Sequence, residues 1–288
     1  MRRFVAFLTL FCALVGAEEA ALWQFGAMAD CQYCDKAAAG QRLYRQSPAK
    51  LANCVERYNQ MDLAYVVHLG DFIDDDWKSF DVLAPITAKL KHPLYHVLGN
   101  HDFSVADDKK LMVPAKLGMP SRYYDFKVQN WRFIVVDGND LSLHGWPKDS
   151  SRNRKSREQY EQKYKGKPTY NGAVGSKQLT WIDTQLRAAD EAGENVVLFC
   201  HFPVYPVNPH NLWNDEAVLA VLEKHASVKA WINGHNHAGH YGEKAGIHYL
   251  TLKGMVDTEE TSYASIKVYK DRLEVTGYGR QEDFVLKL

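Results

Sequence analysis

The chain has 288 residues with 35 basic and 35 acidic side chains, so its formal charge is zero. That length suffices for one large domain with a full hydrophobic core, and the charge balance excludes a strongly basic nucleic-acid-coating protein. Five cysteines are too few for a small scaffold held by a dense disulfide framework.

The first residues read as an export signal. Arg2 and Arg3 precede an apolar run from Phe4 to Val15, and Val15-Gly16-Ala17 forms a small-residue exit, which predicts cleavage after Ala17. A run of about 12 residues falls short of the roughly 20 that span a bilayer, and Cys12 follows Phe11 rather than a small residue, which disfavours a lipoprotein anchor. Residues 1–17 are therefore expected to be a signal peptide and residues 18–288 one domain, exported to the periplasm or beyond, with no membrane attachment after cleavage. The arginine pair leaves the general secretory and twin-arginine routes both open.

Beyond it, β-branched or aromatic runs alternate with segments of helical period. Leu22–Met28 predicts a strand and Pro48–Met61 a helix, with Leu51, Val55, Tyr58 and Met61 three or four apart. Strands follow at Leu63–Leu69 and Pro93–Leu98 around a helix at Phe80–Leu90. The stretch 148–168 carries eight Lys and Arg against three acids and predicts a solvated insertion loop, with attraction of anionic substrates as the functional alternative. The second half continues with strand Phe133–Asp137, helix Ser176–Ala192, strand Val196–His201, helix Asn214–His225 and strand Val228–Asn233. It closes with His248–Leu252, Ser262–Tyr269 and Arg272–Tyr278, the last two joined by a hairpin turn at Lys270-Asp271. The fold class this predicts is α/β, a four-layer αββα sandwich of two mixed sheets flanked by helices, because the final strands succeed one another without helices.

Five short motifs stand where strands end, the place where α/β cores gather active-site loops. They are Asp30-Cys31-Gln32, Gly70-Asp71-Phe72-Ile73-Asp74, Gly99-Asn100-His101-Asp102, Cys200-His201 and Gly234-His235-Asn236-His237, after "LWQFGAM", "LAYVVHL", "LYHVL", "NVVLF" and "VKAWIN". Singly each is weak, since an Asp after a strand often caps a turn. Together, carboxylate, amide and imidazole donors at five strand ends point to a metal site. Two divalent cations need a shared anionic bridge plus neutral N and O donors, and Asp71 is the natural bridge. Gly70, Gly99 and Gly234 are expected to let the backbone turn sharply. His235 and His237 would point the same way on an extended segment and toward two different metals on a tight loop.

The order D-x-[HQ], GDxxD, GNHD, H, GHxH resembles the calcineurin-like metallophosphoesterases over nearly the whole mature chain. The resemblance implies that Asp30, Gln32, Asp71 and His237 hold one metal, with Gln32 in a place usually held by His, and that Asp71, Asn100, His201 and His235 hold the other. It implies that His101 contacts the phosphoryl oxygen or protonates the leaving group, with Asp74 orienting its ring, although Asp74 could instead cap a helix. Asp75 and Asp76 read as solvated charges, and Asp102 as a turn residue or a supporting partner.

Several longer stretches, "ADCQY", "RLYRQS", "YNGAVGSKQLTWIDTQL", "HFPVYP" and "SYASIKVY", are similar to the manganese-dependent ADP-ribose/CDP-alcohol diphosphatase subgroup. That implies hydrolysis of a phosphoanhydride in a small nucleotide-type substrate by metal-hydroxide attack. An amide oxygen is a harder, weaker donor than imidazole, so Gln32 tilts its site from Zn²⁺ toward Mn²⁺ or Mg²⁺; Fe²⁺ remains an alternative. Asp74 stands where purple acid phosphatases place an iron-binding Tyr, which disfavours Fe³⁺. For the nucleotide end, Arg45 suits a second phosphate, with Tyr33, Tyr44, His210 and Trp213 nearby and packing roles equally open for the aromatics. Asn171 and Gly172 read as a turn before a helix capped by Ser176.

The enzymatic rival is a phosphomonoesterase or cyclic-nucleotide phosphodiesterase on the same fold. A non-catalytic metal-binding scaffold predicts missing ligands, and the set here is complete apart from Gln32. A thiol oxidoreductase built on Cys31 and Cys34 would need CxxC at the start of a thioredoxin-like helix. A structural disulfide involving Cys34 or Cys54 is favoured over it, and Cys200 is expected to pack in the core.

Overall fold

The computed structural model describes residues 20–288, so the expected signal peptide lies outside the described residues. The chain runs through β1 (Trp23–Met28), α1 (Ser47–Tyr58), β2 (Val66–His68), α2 (Trp77–Thr87), β3 (Leu94–His96) and two single-turn helices, α3 (Asp107–Lys110) and α4 (Val113–Lys116). A hairpin of β4 (Tyr124–Val128) and β5 (Trp131–Val135) follows. A short ribbon of β6 (Leu141–Ser142) and β7 (Gly172–Ala173) brackets α5 (Ser151–Gln159). Next come α6 (Ser176–Ala192), β8 (Asn195–Phe199), α7 (Asp215–Leu222) and β9 (Val228–Asn233). The chain ends in β10 (His240–Lys244), β11 (Ile247–Thr251), β12 (Ser262–Val268), β13 (Arg272–Gly279) and β14 (Phe284–Lys287).

These strands form two mixed six-stranded sheets, ordered β14-β13-β12-β1-β2-β3 and β10-β11-β9-β8-β5-β4. Strands β1, β2 and β3 are parallel in one, and β5, β8, β9 and β11 in the other, with antiparallel neighbours outside them. The sheets meet through an aromatic layer. Phe25 stacks on Tyr65 at 4.9 Å, Phe133 on Phe199 at 5.7 Å, and Phe25 meets Phe199 edge-on at 6.1 Å. Fully burying each such ring contributes about 1.5–3 kcal/mol.

Helices cover both outer faces. Leu51, Val55 and Tyr58 of α1, with Phe80 and Leu83 of α2, bury against the first sheet, while Ile182 and Leu186 of α6 and Val218 and Leu222 of α7 bury against the second. That is the predicted four-layer α/β sandwich. Helix α6 has the predicted bounds because Gly193, at φ 67°, closes it in the left-handed conformation. Its cap is Gly175 without a side-chain bond, so Ser176 is the first helical residue rather than the cap. Among the described residues no helix is long and apolar enough to cross a membrane.

Other expectations need correction. Strands β4, β10 and β14 were not expected; they lie at sheet edges, where half-exposed polar residues blur the alternation of burial. The basic stretch 148–168 is not a loop: it holds α5 and a π-helical turn at Tyr160–Tyr164. Ser150 caps α5 by accepting from Asn153 N. Cys31, Cys34, Cys54 and Cys200 are all free and buried. Burial pushes the Cys31 thiol far up and, with the Asp74 carboxylate beside it, the Cys34 thiol to about 11. The CxxC is neither a disulfide nor an activated pair.

Candidate metal centre

The parallel strands of both sheets deliver their C-terminal ends to one edge of the sandwich. Asp30 and Gln32 follow β1, Asp71 follows β2, Asn100 and His101 follow β3, His201 follows β8, and His235 and His237 follow β9. Four of these residues are forced into left-handed backbone: Asp30 at φ 53°, Gln32 at 43°, Asp71 at 55° and His235 at 70°. Non-glycine residues held there carry strain of about 1–3 kcal/mol each, the kind that clusters at functional sites. Backbone bonds between the turns sustain it, from Asp30 N to Gly70 O at 3.1 Å and from Gln32 N to Asp71 O at 2.9 Å.

Of the three glycines expected to permit sharp turning, only Gly70, at φ 94°, has positive φ. The other two serve close approach instead. A Cβ on Gly99 would lie 2.1 Å from Asp71 Oδ1, and one on Gly234 would lie 2.5 Å from Asp30 Oδ2. Asp102 clasps two of the turns. Its carboxylate accepts from Gly99 N at 2.9 Å, Asp71 N at 3.1 Å, Phe72 N at 2.8 Å and Ile73 N at 3.3 Å. The ambiguity between turn residue and supporting partner resolves to both.

The donor atoms converge on Asp71. Its Oδ2 lies 3.2 Å from His201 Nε2 and 3.2 Å from Gln32 Nε2, while Oδ1 accepts from His101 N at 2.8 Å. His235 Nδ1 is 3.1 Å from His201 Nε2. On the other side, His237 Nε2 lies 3.4 Å from Asp30 Oδ1. The loop after β9 is tight, so the two histidines of Gly234-His235-Asn236-His237 face different carboxylates.

Each imidazole is tethered through its other nitrogen. His201 Nδ1 meets Leu69 O at 2.9 Å, His237 Nδ1 meets Asp257 Oδ1 at 3.0 Å, and His235 Nε2 meets Asn171 Oδ1 at 2.8 Å. Such partners orient a ring and leave its second nitrogen free as a donor. Asp257 is held in turn by Lys50, whose buried Nζ donates among the carbonyls of Met255 (3.0 Å), Val256 (3.3 Å) and Asp257 (3.2 Å).

Cations fit these residues. Gln32 Oε1 and Asn100 Oδ1 are buried and have no hydrogen-bond partner, an arrangement that costs about 1–3 kcal/mol per group unless something positive lies beside it. Neutral amide and imidazole donors around two carboxylates are the mixture that binds first-row divalent ions. The electrostatics agree. Burial pulls His201 down, but Asp71 outweighs it and raises the ring to about 9; burial likewise opposes Asp30 and Asp257 at His237, again with a result of about 9. Burial and the His201 charge keep His235 neutral. The negative charge therefore pulls in protons that a cation would replace.

The remaining predicted residues divide. His101 stands at the cavity with Nδ1 3.1 Å from both the carbonyl and Oδ1 of Asp74. Asp74 does not cap α2. Asp76 does, accepting from Lys78 N, so it is not merely solvated, and Asp75 pairs with Lys36. Arg45 lies away from the cavity, exposed and paired with exposed Asp35 at 2.7 Å. Arg42 lines it instead, its backbone bridged to Asp257. Of the aromatic candidates, His210 lines the cavity, Trp213 packs against Tyr160 and Tyr164, and Tyr44 is buried with Cys34 and Val256. The cavity of about 320 Å³ over Asp71, Asn100 and His101 adjoins a second of about 270 Å³; both are lined by Arg42, His210, His235 and His237.

Carboxylates, amides and imidazoles gathered at the strand ends of a double-sheet sandwich define a metal-dependent hydrolase of phosphoric esters or anhydrides. The chain belongs to the calcineurin-like phosphoesterase family, whose model matches residues 24–239. It is 31% identical to a manganese-dependent ADP-ribose/CDP-alcohol diphosphatase of Arabidopsis thaliana, covering 91% of this chain and 96% of the relative. A protein of the same name from Danio rerio is 30% identical over 92% of this chain and 98% of its own. Among solved structures, a dimetal phosphatase from Danio rerio superposes with a TM-score of 0.82 at 30% identity, covering 93% of this chain and 99% of that one.

Proposed function

We propose that this protein hydrolyses the phosphoanhydride of nucleoside-diphosphate derivatives, of the ADP-ribose or CDP-alcohol type, with two divalent cations of which manganese is preferred. In this reading Asp30, Gln32, Asp71 and His237 hold one cation, and Asp71, Asn100, His201 and His235 hold the other. The observation that carries it is Gln32: its Nε2 donates to Asp71 Oδ2 at 3.2 Å, and its buried Oε1 has no hydrogen-bond partner in the protein and is left for a cation. Relatives that carry the manganese-dependent diphosphatase name match nearly the whole described chain.

When bound, the cations supply Lewis acidity and lower the pKa of a coordinated water, the nucleophile of such hydrolyses. The chain's own groups do the rest. His101, with Nδ1 engaged by Asp74, presents Nε2 to a phosphoryl oxygen. Burial lowers its pKa, but Asp71 and Asp74 overcome that and raise it, which favours the charged ring where negative charge develops. The leaving group is itself a phosphate and needs little protonation, so His101 acts chiefly as an electrostatic clamp. Arg42, shared by both cavities, offers its planar fork to the second phosphate. The second cavity has room for the ribose or nucleoside end.

The test is a panel of ADP-ribose, CDP-alcohols, cyclic nucleotides and an aryl phosphate, each with Mn²⁺, Mg²⁺ and Zn²⁺. The reading expects the diphosphate derivatives to be fastest, with Mn²⁺. Faster turnover of the aryl phosphate or a cyclic nucleotide would replace it with the monoesterase or cyclic phosphodiesterase reading.

A further inference from the structure

Asn171 is buried, lies 64 positions from His235 in sequence, and has its side chain fully committed. Its Nδ2 donates to Pro209 O and to Asn211 O, each at 2.8 Å. Those are the carbonyls on either side of His210, a residue that lines both cavities. The amide orientation follows, because turning it over would set Oδ1 against two carbonyl oxygens at 2.8 Å. Oδ1 is thus left to accept, and at 2.8 Å from His235 Nε2 it requires a hydrogen on that nitrogen.

Two consequences meet at His235. With Nε2 carrying the hydrogen, a neutral ring has a bare Nδ1, and this atom faces His201 Nε2 at 3.1 Å. His201 is likewise bare there when neutral, since its Nδ1 is spent on Leu69 O at 2.9 Å. Two lone pairs so placed repel unless a proton or cation lies between them. Tyr170, the preceding residue, packs on His235 at 5.6 Å and on His210 at 5.9 Å, so the same short segment touches both rings.

We propose that Asn171 is a positioning residue that joins two walls of the site: its carbonyl oxygen fixes His235 in the Nε2–H tautomer with Nδ1 toward the cation position, and its amide hydrogens hold the backbone that presents His210. The first half rests on the two-cation reading above; the second does not. One amide thereby couples cation affinity to the shape of the substrate wall.

Ring-nitrogen NMR of the chelator-stripped wild-type protein reads the tautomer directly, with the His235 signals assigned by their loss in His235→Asn. The expected result is Nε2–H, and Nδ1–H would overturn the proposal without any variant of Asn171. Two substitutions then separate the halves. Asn171→Leu removes both links, and its Mn²⁺ affinity is expected to fall about 10–100-fold, the usual loss for a partner that orients a ligand, with a raised KM for ADP-ribose. Asn171→Asp keeps an acceptor for His235 but offers nothing to the two carbonyls. It is expected to recover most of the Mn²⁺ affinity while the raised KM persists at little change in kcat. Wild-type Mn²⁺ affinity in folded Asn171→Leu, or recovery of KM in Asn171→Asp, would overturn the assignment. Should wild type itself bind no Mn²⁺, the functional reading fails, and the ring tautomer still decides the role of Asn171.

Discussion

His201 Nε2 lies 3.2 Å from Asp71 Oδ2, and both side chains are shut off from solvent. A charge pair this deep is stable only while something positive, a proton or a metal ion, lies on the histidine side. The same holds for His237 and Asp30, 3.4 Å apart.

Without metal both rings titrate near 9, above the ordinary 6.5, because Asp71 and Asp30 outweigh burial. A raised folded value adds stability that is fully present below pH 6.5 and is lost as pH climbs through 9. The chelator-treated protein should therefore lose stability across that window, and Mn²⁺ affinity should rise across it and level off above, as each histidine gives up its proton. Thermal melts of the stripped protein and Mn²⁺ titrations at stepped pH check both; flat profiles would count against the assignment.

Gln32→His should keep phosphoesterase activity while shifting metal preference toward Zn²⁺, because imidazole replaces the harder amide oxygen. The ratio of activities with Mn²⁺ and Zn²⁺ measures this. An unchanged ratio would mean that Gln32 does not reach a cation.

Arg42 and Arg45 are three residues apart and should behave oppositely. Arg42→Ala should raise KM for a diphosphate substrate by about tenfold or more, the loss of a charge-assisted bond worth about 1.5–3 kcal/mol. Arg45→Ala should leave steady-state kinetics unchanged, since it removes only an exposed ion pair.

Asp257→Ala should weaken cation binding about 10–100-fold by releasing His237. Lys50→Met should do the same indirectly, and should also cost about 1–3 kcal/mol of stability by leaving buried carbonyls without a donor. Mn²⁺ titration and urea unfolding separate the two effects.

The strands that carry the site were legible because each is an apolar run ending in polar donors, and α6 because its period and Gly193 agree. What the sequence hid depends on distance or on surroundings. Asp257 and Asn171 matter through histidines 20 and 64 positions away, and nothing local marks them. Arg45 was the arginine the sequence pointed to, and nothing local marked Arg42; its place at the cavity goes with a backbone bridge to Asp257, 215 positions away. Helix α5 escaped notice because it buries Asn153 and Ser156 rather than an apolar stripe, so hydrophobic period carried no signal.

In the proposed reaction Asp71 serves two cations at once while a phosphoanhydride is cleaved. The most direct test is Mn²⁺ titration of chelator-stripped wild-type and Asp71→Asn protein, with bound metal and ADP-ribose hydrolysis followed together. Wild-type turnover should return and saturate at two ions per chain. Folded Asp71→Asn should bind fewer and lose about a thousandfold or more in rate, as expected for several kcal/mol of lost charge stabilisation. Turnover by the stripped protein in excess chelator, or near-normal turnover by metal-loaded Asp71→Asn, would contradict it.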